Sequence, residues 1–275
     1  MKKLTALFVW LTLSLALKAQ ITLGPTVKTF GVLAGSTVTS SGPTVIDGNL
    51  GVSPGTAITG ITGIAPGGPG SVTGSINSAN PVALQAQSEL TAAYNAAAGA
   101  ASTATKSGDL GGQTLFAGVY TSSSSLGITG TVTLDAQNNP NAQFIFQIAS
   151  ALTTATSSNV QLINGASASN VYWQVGSSAT LGTNSSFSGN ILAFSSISLG
   201  TSTTFLGRAL ARNGAVTLLS NAMSIPPDVV VPPPEPPVVP PAVPAPSSLL
   251  LLLTAMLCTG IYLARERLLK LFRRS

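Results

Sequence analysis

The chain has 275 residues, 44% of them hydrophobic but only 7% charged and 5% aromatic, where globular domains usually carry about 25% charged residues. Its formal charge of +5 gathers at the ends. Between Gln20 and Pro226 the four cations Lys28, Lys106, Arg208 and Arg212 balance the four anions Asp47, Glu89, Asp109 and Asp135. No basic stripe is available to neutralise phosphates, which excludes nucleic acid as a partner, and the chain contains no histidine.

Residues 1–19 read as a secretory signal peptide. Lys2 and Lys3 open it, Leu4 to Leu17 is mostly apolar, and Leu17-Lys18-Ala19 offers a small residue before Gln20. The apolar run is shorter than the ~20 residues of a spanning helix.

A single domain is expected over 20–226. Near its start, Gly51-Val52-Ser53-Pro54-Gly55 fits the nucleophile-elbow string. That chemistry needs a histidine base, and Pro54-Gly55 favours a turn. Gly63–Gly70 lacks the lysine of a phosphate loop and also reads as a turn. Asn80-Pro81 caps a helix expected over about 81–105, with Ala83, Ala86, Leu90, Ala93, Ala97 and Ala101 on one face. Gly99 weakens its second half.

Strand-like alternation follows in Val132–Leu134, Phe144–Ile148 and Val171–Val175. Phe144, Phe146, Ile148, Val171, Trp173 and Val175 are the expected core. Residues 179–193 and 197–211 then match at an 18-residue shift, with seven of fifteen positions identical. Eighteen residues suit one coil of a three-sided β-solenoid, whose coils must stack to bury their inward side chains. Leu126-Gly127-Ile128-Thr129 and Thr154-Ala155-Thr156-Ser157 echo Leu181-Gly182-Thr183-Asn184 and Leu199-Gly200-Thr201-Ser202 at spacings of 28, 27 and 18 residues. The early coils are therefore longer. The four central carboxylates are scattered, so neither a metal site nor a glycosidase pair is expected. Asp109 and Asp135 suit turn caps. The reading is a non-enzyme with no cofactor, no metal and no catalytic residue.

Residues 227–246 form a proline-rich linker, which favours extended polyproline II. Residues 247–264 are apolar enough for a transmembrane helix and contain Cys258, the one cysteine. Residues 265–275 are a basic tail expected on the cytoplasmic side. This order resembles the Pro-Glu-Pro sorting signal handled by exosortases. The motif beside the apolar run is Pro244-Ala245-Pro246, with Ala245 where the signal has Glu; a true Pro-Glu-Pro lies upstream at 234–236. The resemblance implies an exosortase partner and a Gram-negative source. The protein would be exported, then held at the cell envelope or released into the extracellular matrix after C-terminal processing. An ordinary tail anchor is the alternative.

The strings of the domain are informative together. Leu50-Gly51-Val52-Ser53-Pro54-Gly55, Gly118-Val119-Tyr120, Gly130–Ala136, Phe144–Ile148, Ala151-Leu152-Thr153-Thr154, Asn164-Gly165-Ala166, Asn170–Gly176 and Gly207–Ala211 resemble the microbial ice-binding-protein-like family, also called an adhesive domain. The resemblance spans roughly 22–226. It implies a right-handed, discontinuous β-solenoid of triangular section flanked by one long helix, hence an all-β fold with a single helix.

It further implies a flat face carrying a Thr-(Ala/Gly)-x-(Thr/Asn) pattern that binds ice. On this chain the pattern begins with threonine only at Thr154. Thr156, Thr183 and Thr201 form the expected ladder, with Thr129, Asn184, Ser185, Ser202 and Thr203 beside it. Two functions are expected from this reading. One is adsorption to ice through a Thr/Ser-rich solenoid face. The other is a structural or adhesive envelope role on an extracellular polymer, without ice activity. A flat threonine ladder favours the first, and an irregular or charged face the second.

Overall fold

The computed structural model describes residues 20–64 and 70–226. The expected signal peptide, linker, transmembrane helix, basic tail and sorting motif at Pro244, Ala245 and Pro246 lie outside the described residues. The chain divides into two units, Met1–Val230 and Val231–Ser275, and all described residues belong to the first. No described helix is long and apolar enough to cross a membrane.

Short strands stack in three parallel columns, each coil contributing one strand to each column. Column a runs through Gly118–Ser122, Phe144–Ile148, Val171–Val175 and the second halves of Ser186–Ala193 and Thr204–Ala211. Column b runs through Gly108–Asp109, Leu126–Ile128, Leu152–Thr154, Ala179–Leu181, Ile197–Leu199 and Val216–Leu219. Column c runs through Thr114–Phe116, Thr131–Asp135, Asn159–Ile163, the first halves of Ser186–Ala193 and Thr204–Ala211, and Ala222–Ser224.

The N-terminal coils are not at the start of this stack. Phe30–Ala34 pairs with Thr204–Ala211, Thr37–Ser41 with Val216–Leu219, and Thr44–Ile46 with Ala222–Ser224. Residues 30–78 thus extend the stack beyond its C-terminal coil, and the solenoid is discontinuous in sequence. The helix Pro81–Ala98 carries the chain back across column a. Its 18 residues cover about 27 Å. Nine stacked strands of column a need about 38 Å, and the short segments flanking the helix bridge the remainder.

The helix is shorter than the sequence suggests. Asn80 caps it, Oδ1 accepting the Ala83 N–H at 2.9 Å, and it ends at Gly99. Residues after Gly99 pass into column a at Ala104–Thr105, and Ala101 is exposed rather than on the buried face. Ala86, Leu90, Ala93 and Ala97 press on Val119, Ile145, Tyr172, Leu192 and Leu210 of column a. That contact explains why Phe144–Ile148 and Val171–Val175 are buried along their whole length rather than on alternate residues.

Inside the solenoid, like residues stack coil on coil. Tyr120, Phe146, Trp173, Phe187 and Phe205 form a continuous aromatic file, with centroid separations of 5.3, 3.9, 5.3 and 5.5 Å. All six residues expected in the core are buried. Trp173 Nε1 donates to Ser188 O at 3.1 Å, so the buried indole keeps its polar partner.

Candidate functional site

Column a is covered by the helix, which leaves columns b and c as the broad outer sheets. Column b has eight parallel strands and extends about 34 Å at the usual strand spacing. In the strands Leu126–Ile128, Leu152–Thr154, Ala179–Leu181 and Ile197–Leu199 the two end residues point inward, whereas in Ala57–Thr59 the central Ile58 packs on the core and Thr59 faces out. In the first four of these strands the central residue therefore faces out. Following the strand register gives one continuous file of outward residues: Asp109, Gly127, Thr153, Thr180, Ser198, Thr217, Thr39 and Thr59.

Five of these eight are threonines, and Thr39 and Thr59 come from the N-terminal coils. Small serines flank the file: Ser125, Ser178 and Ser196 each accept the N–H of the next coil, from Ala151, Ser196 and Ala215. Their hydroxyls are held by backbone, which stiffens the surface. Close stacking also restricts side chains. A Cβ at Gly182 would lie 2.5 Å from the Ala155 backbone, so a side chain there would push the coils apart.

Asp109 closes one end of the file. Its carboxylate accepts the Thr129 hydroxyl at 2.6 Å, the Thr129 N–H at 3.0 Å and the Gly111 N–H at 2.6 Å. The Thr129 hydroxyl holds the carboxyl below its ordinary range, partial burial opposes this, and the two N–H donors add to the lowering. Asp135 likewise caps a turn, accepting the Gln137 N–H at 2.8 Å. Both carboxylates thus act as the turn caps read from sequence.

The residues expected on the outer face divide into two sets. Thr129, Thr156, Thr183, Asn184, Thr201 and Ser202 are exposed, but they lie at or beside the corner between columns b and c rather than in the middle of a sheet. Coil-to-coil bonds align that corner: Ser157 N–H donates to Thr183 O, and Asn184 N–H to Thr201 O, at 2.8 and 2.9 Å. Ser157, Asn184 and Ser202 take left-handed φ values of 58°, 56° and 60°, which turn the chain.

Thr154, Ser185 and Thr203 are buried and correct the expectation. Thr154 Oγ1 accepts the Gly182 N–H at 2.9 Å. Ser185 Oγ donates to Ala155 O at 3.1 Å. Thr203 Oγ1 donates to Gly200 O at 2.8 Å. These hydroxyls serve carbonyls and amides that the corner would otherwise strand inside. Reading Thr154 and its counterparts as the outward start of the pattern sets the register one residue late, and the outward threonines are Thr153 and Thr180. Leu126, Leu181 and Leu199 had marked this, since all three are buried.

Column c is less regular. Its corresponding outward file runs Thr131, Asn159, Ser186, Thr204, Ala222 and Val45, and Phe116, Val45 and Leu206 stand exposed on that side. A cleft of about 740 Å³ opens beside the end of the helix, lined by Ala, Gly, Val and Ile with Gln20, Asn139, Asn141 and Gln143. It contains no ionisable side chain. No group of three His, Cys, Asp or Glu residues gathers among the described residues.

The arrangement agrees with known proteins. The Ice-binding-like family model matches residues 32–224. An ice-binding protein of Nostoc sp. (strain HG1) is 48% identical over 208 residues, 75% of each chain. An ice-binding protein of Colwellia sp. is 38% identical over 217 residues, covering 73% of this chain and 82% of its own. Among solved structures, an ice-binding protein from an Antarctic biological consortium superposes with a TM-score of 0.71 at 48% identity, covering 76% of this chain and 92% of that one. The ice-binding protein of the Antarctic ascomycete Antarctomyces psychrotrophicus gives 0.69 at 39% identity, covering 73% and 97%. The chain belongs to the Ice-binding-like family.

Proposed function

We propose that the protein adsorbs to ice through column b. The observation that carries this reading is the outward file of threonines at one residue per coil on a helix-free sheet, with Asp109 as its charged member at the far end. Strand spacing sets a repeat of about 4.8 Å along the stack, close to the repeat of oxygens along the ice a-axis. Each threonine presents a methyl group that orders neighbouring water and a hydroxyl that joins the ordered layer. Backbone hydrogen bonding and a packed core hold the face rigid, so little entropy is lost on contact. Low charge keeps strongly hydrated ions away from the interface.

The exposed corner residues Thr129, Thr156, Thr183, Asn184, Thr201 and Ser202 border this face and extend it. A right-handed solenoid of triangular section accommodates these columns. The even threonine file favours ice over a structural or adhesive role on an extracellular polymer. Export through the signal at 1–19 and attachment through 247–264, with an exosortase acting near Pro244-Ala245-Pro246, belong to the same reading and rest on the sequence. Neither chemistry nor a cofactor is required.

Nanolitre osmometry of the purified chain tests the proposal. Faceted ice crystals and a measurable gap between melting and freezing support it. Round crystals with no gap at high protein concentration refute it.

A further inference from the structure

Two large side chains stand in file at the corner between columns a and b. Val175 pairs with Ala193 and Ala193 with Ala211, so the residues that follow, Gly176, Phe194 and Arg212, stack coil on coil. Leu33 pairs with Leu210, which sets Gly35 on the other side of Arg212. Glycines thus flank the pair, and Phe194 is left 43% exposed. The Arg212 guanidinium lies 4.7 Å from the Tyr94 ring centroid and 5.5 Å from that of Phe194, within cation–π range of both. The rings are 6.3 Å apart and inclined at 51°, a wedge that holds the planar cation. Tyr94 belongs to the helix, so the wedge stands on the helix side of the corner and not on column b.

Arg212 lacks the partners that a guanidinium in this place requires. Its Nε is buried without a hydrogen-bond partner. The four carboxylates of the domain are engaged elsewhere, Asp109 and Asp135 in turn caps, Glu89 on Thr26 and Asp47 on Thr73. Withdrawing a charged donor from water without a substitute is unfavourable, so an apolar side chain would clip the helix to the corner better. A clip also has no use for an exposed phenyl ring. Stacked rings cover the faces of a guanidinium, whereas its N–H donors lie in its plane and are left for an anion.

We infer that the wedge is a second binding site, for an acidic saccharide: Arg212 pairs with the carboxylate of a uronic acid unit while Phe194 packs on the C–H face of the sugar ring. A carboxylate matches the guanidinium fork with two parallel hydrogen bonds. The negative π face of a phenyl ring attracts the C–H groups of a pyranose. Asn213, exposed beside Arg212, donates Nδ2 to Phe194 O at 3.0 Å and keeps Oδ1 for a sugar hydroxyl. The domain carries equal numbers of cations and anions, so it has no general pull on a polyanion, and recognition falls to this local arrangement. Wedge and threonine file lie on different faces, so one molecule holds a polyuronate chain and seats on ice at once. The site stands independently of the ice-binding reading of column b.

The test uses the purified full chain over immobilised tetragalacturonate, with binding read by surface plasmon resonance and folding by thermal melts. The methyl ester, which keeps the rings and loses the charge, and tetraglutamate, which keeps the charge and loses the rings, should each bind about tenfold more weakly. Arg212→Gln should also weaken binding about tenfold, and Phe194→Ala about threefold. Lys106→Gln removes a cation from a distant coil and should bind as the wild type does. All variants share the basic tail, so their differences belong to the domain. Arg212→Gln should keep its thermal hysteresis; losing it while folded would overturn the separation of the two faces. If Arg212→Gln does not fold, Arg212→Lys keeps the charge without the planar fork and should bind about fivefold more weakly. An absence of wild-type binding, wild-type binding by the Arg212 variant, or an equal loss in Lys106→Gln would overturn the site. Equal binding of tetraglutamate would overturn the saccharide as its ligand.

Discussion

Thr203→Val separates the inner hydroxyl ladder from the outer one. Thr203 is completely buried, and its hydroxyl donates to Gly200 O at 2.8 Å and to Gly182 O at 3.2 Å. Valine keeps the volume and the β-branch but removes the donor. Gly200 O retains Asn221 Nδ2 at 2.7 Å, while Gly182 O retains only the Ser185 N–H at 3.4 Å. One carbonyl stays satisfied and one becomes nearly orphaned. The cost should therefore be about 1–2 kcal/mol, within the range for losing a buried hydrogen bond. Urea titration measures it, with Thr183→Val as the comparison. Thr183 is exposed at the neighbouring coil, and its substitution should shift stability by no more than about 0.5 kcal/mol. Per folded molecule, Thr203→Val should keep full ice activity. Loss of ice activity at unchanged stability would show that the hydroxyl faces out and would refute the assigned register.

Other outcomes follow from the core and from the carboxylates. Trp173→Ala removes the centre of the aromatic file, where the indole stacks 3.9 Å from Phe146. Denaturant unfolding should show a loss of about 3–5 kcal/mol. Glu89 on the helix accepts the Thr26 and Val27 N–H groups at 2.8 Å each. Burial raises its pKa, but the Val27 N–H, the Gln85 side chain and Thr26 together bring it below the ordinary 4.5. A carboxyl lowered on folding adds stability that is complete above its unfolded value and is lost as pH falls through its folded value. Thermal melts should therefore fall as pH drops below about 4.5, and Glu89→Gln should be less stable near neutrality with a flatter acid limb.

Much of the fold could be read from the sequence because its repeat is a physical requirement. Leu181 and Leu199 recur at an 18-residue shift since each must fill the same inward position in successive coils, and both are buried as that demands. Phe146 and Trp173 were legible as core from the alternation of their strands. The helix start was legible in Asn80-Pro81, but its end was overrun, because Ala101 and Ala104 carry helix propensity yet are exposed and bury no face.

The candidate face was harder to read. Thr153 and Thr154 are adjacent and chemically identical, yet one faces solvent and the other fills the corner, and composition cannot tell them apart. Burial of the leucine before each Gly-Thr pair was the available signal. Thr39 and Thr59 were missed because they join the file only through the discontinuous stacking of Thr37–Ser41 on Val216–Leu219, a pairing across most of the chain with no local trace. The inner polar residues Ser185 and Thr203 were misplaced because small hydroxyl residues are ordinary on solenoid surfaces, and their partners are backbone carbonyls that sequence does not display.

The most direct measurement compares thermal hysteresis of two matched variants, Thr180→Tyr on column b and Ser186→Tyr on column c. Both residues are exposed on adjacent outer sheets, and each ring would stand out from its face without disturbing the core. The account predicts that Thr180→Tyr loses nearly all hysteresis while Ser186→Tyr keeps it, with both proteins equally stable. Retained activity in Thr180→Tyr, or loss confined to Ser186→Tyr, would contradict the assignment of ice binding to the threonine file of column b.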